Sequence, residues 1–129
     1  MAQSIGVSSP RVLVVTDDDA LVRVTRQALA DCLVVIEHVR ARAELDAHAS
    51  RSFALIVSEA VTEWVTGIEV IRFCGARDTP AVFVADEDSP LTDERVGRLG
   101  PHVSLVRRPF DRHELERRIL APFRASRTD

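Results

Sequence analysis

Residues Val12 to Arg23 read Val-Leu-Val-Val-Thr-Asp-Asp-Asp-Ala-Leu-Val-Arg, and this stretch decides the fold class. An apolar, β-branched run passes directly into three carboxylates, and a segment with helical periodicity begins after them. A continuous apolar run is typical of a strand that is covered on both faces, which indicates a parallel sheet flanked by helices. The acidic residues Asp17, Asp18 and Asp19 would then follow the carboxyl end of the first strand.

Four further runs of β-branched and apolar residues follow the first one. Together they predict five strands, at residues 12–16, 33–39, 53–58, 81–85 and 103–106. Four of the five runs are nearly continuous in apolar residues, whereas the second contains Glu37 and His38. We therefore expect the second run to be an edge strand.

Signals for helix starts separate the predicted strands. Asp111 is followed three residues later by Glu114, and Thr66 by Glu69, so each pair can form a capping box at a helix start. Ser89 before Pro90 predicts the start of a helix at 91–99, and the remaining helices are predicted at 20–30 and 41–49. Alternating strands and helices predict a doubly wound α/β fold.

Composition limits the class of protein. The chain has 129 residues, 46% of them hydrophobic, which suits one core and one domain. We expect a flexible N-terminal tail at 1–10, the domain at 11–125 and a short tail at 126–129. The net charge of -3 gives no general attraction to nucleic acid or to an anionic membrane, so we expect protein partners.

The cysteines and the N-terminus indicate the compartment. Cys32 and Cys74 fit no metal-ligand or redox spacing, which favours buried thiols in a reducing compartment. The apolar runs are far shorter than the roughly 20 residues that a membrane-spanning helix needs. Because the first ten residues also lack the pattern of a secretion signal, we expect a cytoplasmic protein.

Acidic side chains are expected to converge where the predicted strands end. In a doubly wound sheet the ligand site forms beyond the carboxyl ends of the strands, which would bring together Asp17, Asp18 and Glu59. Carboxylates held close together need a cation, either a metal such as Mg²⁺ or a basic side chain such as Arg108. The alternative is that residues 17–19 form only a polar turn and a helix cap.

Three motifs resemble those of the response-regulator receiver domains of two-component signalling, the CheY-like family. They are the opening stretch with its acidic pair, the segment from Leu55-Ile-Val-Ser-Glu59 to Thr66-Gly-Ile-Glu-Val70, and Arg107-Arg-Pro-Phe110. The resemblance covers about residues 11 to 125. It implies a flavodoxin-like, five-stranded parallel sheet in the order 2-1-3-4-5, with Asp17 and Asp18 at the acidic positions that bind Mg²⁺.

The sequence departs from the family pattern at the positions of the phosphorylation switch. Counting back from Gly67, Glu59 stands where the family has its phosphate-accepting aspartate. Ala85 replaces the hydroxyl-bearing switch residue, Leu105 replaces the aromatic one, and Arg108 replaces the lysine. Glu63 also stands in place of the usual proline.

These departures predict that the aspartyl-phosphorylation switch is lost. A glutamate carries one more methylene, which moves its carboxylate by about 1 Å, and misplacements of that size cost on the order of 100-fold in rate. Arg108 offers a planar fork that can bind a carboxylate through two hydrogen bonds, so the pair of Glu59 and Arg108 is expected to lock the domain in one state.

We therefore interpret the chain as an atypical receiver, a protein-interaction module without enzymatic activity. One alternative is a phosphorylatable receiver that accepts phosphate from a histidine kinase, using Mg²⁺ held by Asp17, Asp18 and Glu59. Another is a ligand-binding or enzymatic domain on the same fold.

The last predicted helix is basic, and it contains Arg112, Arg117, Arg118 and Arg124. The resemblance of the chain to the family implies that this helix, the predicted helix 91–99 and the strand 103–106 form one surface. A kinase or a downstream regulator would dock on this surface, or the chain would form a homodimer through it. The alternative is a solvated helix face whose arginines pair with Glu114 and Glu116. Trp64 could shield the acidic pocket, dock a partner or pack over its loop.

Overall fold

The computed structural model describes residues 9–48, 52–60, 69, 79–98, 100 and 102–125. These residues form five strands and four helices. In chain order they are β1 (Arg11–Val15), α1 (Asp19–Ala28), β2 (Val35–Val39), α2 (Arg42–Ala47), β3 (Leu55–Glu59), β4 (Ala81–Ala85), α3 (Asp93–Gly97), β5 (Val103–Arg107) and α4 (Arg112–Ala125).

The five strands form one parallel sheet in the order β2-β1-β3-β4-β5, which confirms the predicted fold class. The register aligns Val15 with Ser58 and Ala85 with Arg107, so neighbouring strands end at the same level. The residues that follow β1, β4 and β5 therefore lie along one edge of the sheet, beside the last residue of β3.

Apolar side chains fill both faces of the sheet. Leu13 and Phe83 belong to one buried cluster, and Val14 belongs to the other, where it meets Leu115 and Ile119 of α4. All five side chains have no exposed surface. The continuous apolar runs in the sequence result from this two-sided burial, because alternate residues of a strand point to opposite faces.

Strand β2 is an edge strand, as its polar residues predicted. It pairs only with β1 among the described strands, and Glu37 forms an ion pair with Arg11 of β1. The strand begins at Val35, two residues later than predicted, because the amide of Val34 bonds to the carbonyl of Cys32 in a turn. Leu33 precedes the strand and is 90% exposed.

The helix starts agree with the sequence at two points and differ at a third. Asp18 caps α1, and Asp111 accepts a hydrogen bond of 2.8 Å from the amide of His113 in the first turn of α4. Helix α3 begins at Asp93 with Thr92 as its cap, not at residue 91. The side chain of Ser89 instead accepts from the amide of Leu91, in the turn that precedes Thr92.

Several sequence predictions fall outside the described residues. They concern the tails at 1–8 and 126–129, the helix start at Thr66, and residues Glu63, Trp64, Gly67 and Cys74. Among the described residues no helix is both long enough and apolar enough to cross a membrane.

Candidate functional site

The carboxyl edge of the sheet carries a network of charged side chains, with Arg108 at its centre. Arg108 directly follows β5, Glu59 ends β3, and Asp86 follows β4. Asp18 lies between β1 and α1. Since parallel strands end side by side, four segments that are distant in the sequence meet here.

The guanidinium of Arg108 contacts three carboxylates. Its Nη2 lies 3.1 Å from Asp18 Oδ2 and 3.3 Å from Glu59 Oε2, and its Nη1 lies 3.1 Å from Asp86 Oδ1. All three contacts are ion pairs, and those with Asp18 and Asp86 are also hydrogen bonds. The expected pairing with one carboxylate through two hydrogen bonds is therefore not the arrangement found, because the fork divides between partners on different segments.

Glu59 is held from both sides of its carboxylate. Oε1 accepts a hydrogen bond from the hydroxyl of Thr16 and lies 3.3 Å from the amide nitrogen of Asp17, while Oε2 faces Arg108. The side chain is only 16% exposed. Both oxygens therefore already have partners within the protein.

Thr16 is a site residue that the sequence interpretation missed. It is completely buried, and its hydroxyl accepts a hydrogen bond of 2.8 Å from the amide of Asp18 while donating to Glu59. One side chain thus connects the loop after β1 with the carboxylate at the end of β3. The signal in the sequence was a polar residue closing an otherwise apolar run, directly before the acidic residues.

Asp18 has two roles, one on each carboxylate oxygen. Oδ1 accepts a hydrogen bond of 2.9 Å from the amide of Ala20, which caps α1, and Oδ2 binds Arg108. The side chains of Asp17 and Asp19 are exposed, and Asp19 forms an ion pair with Arg40. The turn-and-cap alternative is therefore part of the arrangement, but Asp18 also belongs to the charged network.

Opposing effects act on the pKa of Arg108. Partial burial works to lower it, but the negative charge of Glu59 and the hydrogen bonds to Asp18 and Asp86 outweigh burial, so the pKa is raised above its ordinary value. The guanidinium therefore keeps its charge at every physiological pH. It is a permanent cation at the centre of the pocket.

The acidic residues do not fit a Mg²⁺ site in this arrangement. The resemblance implied that Asp17, Asp18 and Glu59 could hold the ion, yet the oxygens of Asp18 and Glu59 are bonded to Arg108, Thr16 and backbone amides. Over the described part of the chain, no group of three or more His, Cys, Asp or Glu side chains is arranged to hold a metal ion.

The two switch-equivalent positions on β4 and β5 carry apolar, buried side chains. Ala85 is 3% exposed and lines a cavity of about 150 Å³, whose wall also includes Ser89 and Arg108. Leu105 is 7% exposed and belongs to the same core cluster as Phe83. Neither side chain offers a hydroxyl to the pocket.

Arg107 is a second residue that the sequence interpretation did not single out. It donates hydrogen bonds to the carbonyl oxygens of Asp86, at 3.3 Å, Ser89, at 3.2 Å, and Leu91. Adjacent arginines at the end of β5 therefore bind the segment between β4 and α3. The guanidinium of Arg107 binds backbone carbonyls of this segment, and that of Arg108 binds the carboxylate of Asp86. The sequence offered a signal for both residues, because Asp86 directly follows β4 and Arg107 is the last residue of β5.

Comparison with known proteins identifies the fold. No protein-family model matches the chain, and no curated protein sequence matches it. Among solved structures, a signal receiver domain of a LuxO-type repressor protein from Vibrio parahaemolyticus is 20% identical, with a TM-score of 0.73 over 93% of this chain and 94% of that one. A chemotaxis response regulator of Vibrio cholerae is 21% identical, with a TM-score of 0.62 over 92% of this chain and 98% of that one.

A third similar structure bears a different name. It is an adenylate cyclase from Rhodopirellula baltica, 17% identical, with a TM-score of 0.69 over 91% of this chain and 89% of that one. At these identities the comparisons establish a shared fold. The chain has the CheY-like, flavodoxin-like fold of response-regulator receiver domains, as the sequence motifs predicted.

Proposed function

We propose that residues 11–125 form an atypical receiver domain of a two-component or phosphorelay-type pathway, which acts through protein contacts and has lost the aspartyl-phosphorylation switch. The observation that carries the proposal is the binding of Arg108 to Asp18, Glu59 and Asp86 together. Through this network the residue after β5 binds residues at or after the ends of β1, β3 and β4, and no phosphoryl group or metal ion is needed. The domain is thereby held in one conformation.

The charge of the pocket opposes phosphorylation at Glu59. Phosphoryl transfer depends on positioning and on cations that stabilise the developing negative charge. Here one guanidinium already serves three carboxylates, and both oxygens of Glu59 have partners. An acyl phosphate on Glu59 would have to break these contacts, and Ala85 offers no hydroxyl to bind it.

The surface of α4 is the proposed place for a partner. Arg112 pairs with Glu116, and Arg118 with Glu114, so these arginines are partly neutralised as in the solvated-face alternative. Arg117 and Arg124 are exposed. We expect a cytoplasmic protein partner, a histidine kinase or a downstream regulator, with a homodimer through α3, β5 and α4 as the other form of association.

Phosphorylation is tested by incubating the chain with acetyl phosphate and Mg²⁺ and measuring the intact mass. We expect no added phosphoryl group. The matched control is the triple variant Glu59→Asp, Ala85→Thr, Arg108→Lys, which restores the family's acceptor, hydroxyl and lysine and should take up phosphate. A phosphorylated natural chain would instead support the Mg²⁺-dependent receiver, and peptide mapping would show whether Asp17, Asp18 or Glu59 accepts the group.

Partner binding is tested by pull-down from an extract of the source cells, comparing the natural chain with Glu59→Gln and with the control Glu94→Gln. Glu94 pairs with Arg98 on the exposed surface, where both side chains are more than 70% exposed. We expect Glu59→Gln to change the captured partners and the control to leave them unchanged. Equal capture by all three proteins would contradict a role for the network in binding.

A further inference from the structure

A cavity of about 540 Å³ lies at the amino end of the sheet, on the other side of the molecule from Arg108. Pro80 and His102, which line it, directly precede β4 and β5, so the cavity lies where these two strands begin. Volumes of several hundred Å³ are typical of sites that hold a small organic molecule.

The walls of the cavity are largely apolar. Leu55 and Val82 are buried and belong to the core cluster on the face of the sheet that α4 covers. Helix α4 supplies the opposite wall, from positions three and four residues apart that share one helix face. These residues are Arg118, Ala121 and Pro122. The space between the helix and the strands can therefore take an apolar group.

Ser104 places a hydroxyl where the sheet otherwise presents apolar side chains. It is aligned with Val82 of β4, and Val106, the next residue on the same face of β5, belongs to the core cluster. Within the described part of the chain, the half-buried Ser104 hydroxyl forms no hydrogen bond. Partly buried polar groups are usually hydrogen-bonded. A ligand in the cavity would give this hydroxyl a partner.

The charged and polar lining favours an anion. Arg118 binds Glu114 Oε2 through Nη2 at 3.0 Å, and the guanidinium has further N–H groups for a second partner. The ring of His102 can also donate a hydrogen bond. Among the described residues that line the cavity, none is acidic. A carboxylate could accept hydrogen bonds from these groups without meeting a like charge.

We infer that this cavity binds a small organic anion, a carboxylate on an apolar body. Arg118 and Ser104 hold the carboxylate, and the body packs against Leu55 and Val82. Burial of the apolar body drives binding, and the charged hydrogen bonds fix its orientation. The site shares no residue with the charged network around Arg108, so the inference does not rest on the proposed function.

Binding is measured with naphthoate, an aromatic carboxylate, by NMR titration of the isotope-labelled chain. Acetate has the same charge without the apolar body, and naphthamide has the same body without the charge. We expect naphthoate to shift the amides of Leu55, Val82 and Ser104 in a saturable way, with a dissociation constant of about 1 mM. Acetate and naphthamide should each bind about tenfold more weakly or worse.

Two variants and a matched control test the lining. Arg118→Met removes the proposed partner of the carboxylate and should weaken naphthoate binding about tenfold. The control is Arg112→Met, because Arg112 lies on the same helix and pairs with Glu116 as Arg118 pairs with Glu114, but does not line the cavity. It should bind naphthoate as the natural chain does. Ala121→Trp, which fills the cavity from an exposed position on α4, should abolish the shifts.

Three results would overturn the inference. They are the absence of saturable shifts in the natural chain, shifts confined to residues outside the cavity, and equal weakening by Arg118→Met and Arg112→Met. Circular dichroism checks that each variant is folded, and should Arg118→Met fail to fold, binding of naphthoate by folded Ala121→Trp would overturn the inference instead. Phosphate uptake and partner capture test the proposed function separately.

Discussion

Replacing Glu59 with glutamine perturbs the network with the least change of shape. The amide oxygen of glutamine can still accept the hydrogen bond from Thr16, so this contact need not be lost. On the side of Arg108, however, an amide group would face the guanidinium in place of Oε2. An attraction between opposite charges becomes a contact between two hydrogen-bond donors.

The structure allows the cost to be estimated. Two unit charges at the 3.3 Å that separates Glu59 Oε2 from Arg108 Nη2 attract by about 5 kcal/mol at an effective dielectric constant of roughly 20. Desolvation offsets much of this attraction, and Asp18 and Asp86 still neutralise Arg108 in the variant. We therefore expect Glu59→Gln to lower the free energy of unfolding by about 1 to 3 kcal/mol.

Urea unfolding followed by circular dichroism measures this loss, with Glu94→Gln as the control. The control removes an ion pair whose side chains are 72% and 78% exposed, and it should cost less than about 0.5 kcal/mol. If Glu59→Gln were as stable as the natural chain, the ion pair would contribute nothing to the folded state. The proposed lock would then be refuted.

Three further changes test other parts of the network. Thr16→Val removes the buried hydroxyl that joins Glu59 to the loop after β1, and it should cost about 1 to 3 kcal/mol in urea unfolding; a variant of natural stability would contradict this role. Arg107→Ala removes hydrogen bonds to three backbone carbonyls. The backbone amides in the segment 86–91 should then exchange with deuterium about tenfold faster, while those of β1 should exchange at the same rate as in the natural chain. Unchanged exchange in the segment 86–91 would exclude a restraining role for Arg107. The pKa of Arg108 is raised on folding. The stability that Arg108 contributes to the fold is therefore complete below its pKa in the unfolded chain, and it is lost only as the pH rises through its higher pKa in the folded chain. The difference in unfolding free energy between the natural chain and Arg108→Met should thus stay constant from about pH 7 to about pH 10, and a smaller difference at the higher pH would contradict a guanidinium origin.

The sheet could be predicted from the sequence because its strands are buried on both faces. Four of the five strands carry a nearly continuous apolar run, whereas the run of β2 is interrupted by Glu37 and His38, which marks the edge. Boundaries were less accurate where local hydrogen bonds decide them. The turn at Cys32 delays β2, and the cap at Thr92 delays α3.

The site could be predicted in part, because the ends of parallel strands meet at one edge of the sheet. This rule indicated Asp17, Asp18, Glu59 and Arg108. The structure brings the last three together, whereas the side chain of Asp17 is exposed. The rule did not indicate which carboxylates the two terminal nitrogens of Arg108 bind, since that depends on the positions of three carboxylates at once. Thr16 and Asp86 also stand at strand ends, but the hydrogen bonds that bring them into the network depend on side-chain geometry, which spacing along the chain does not reveal.

A double-mutant cycle between Glu59 and Arg108 tests most directly whether an ion pair holds this pocket together. The unfolding free energies of the natural chain, Glu59→Gln, Arg108→Met and the double variant give the coupling between the two side chains without their separate contacts. We predict a favourable coupling of about 1 to 2 kcal/mol. If the stability losses of the two single variants add up to that of the double variant within about 0.3 kcal/mol, the two residues act independently, and this result would contradict the account.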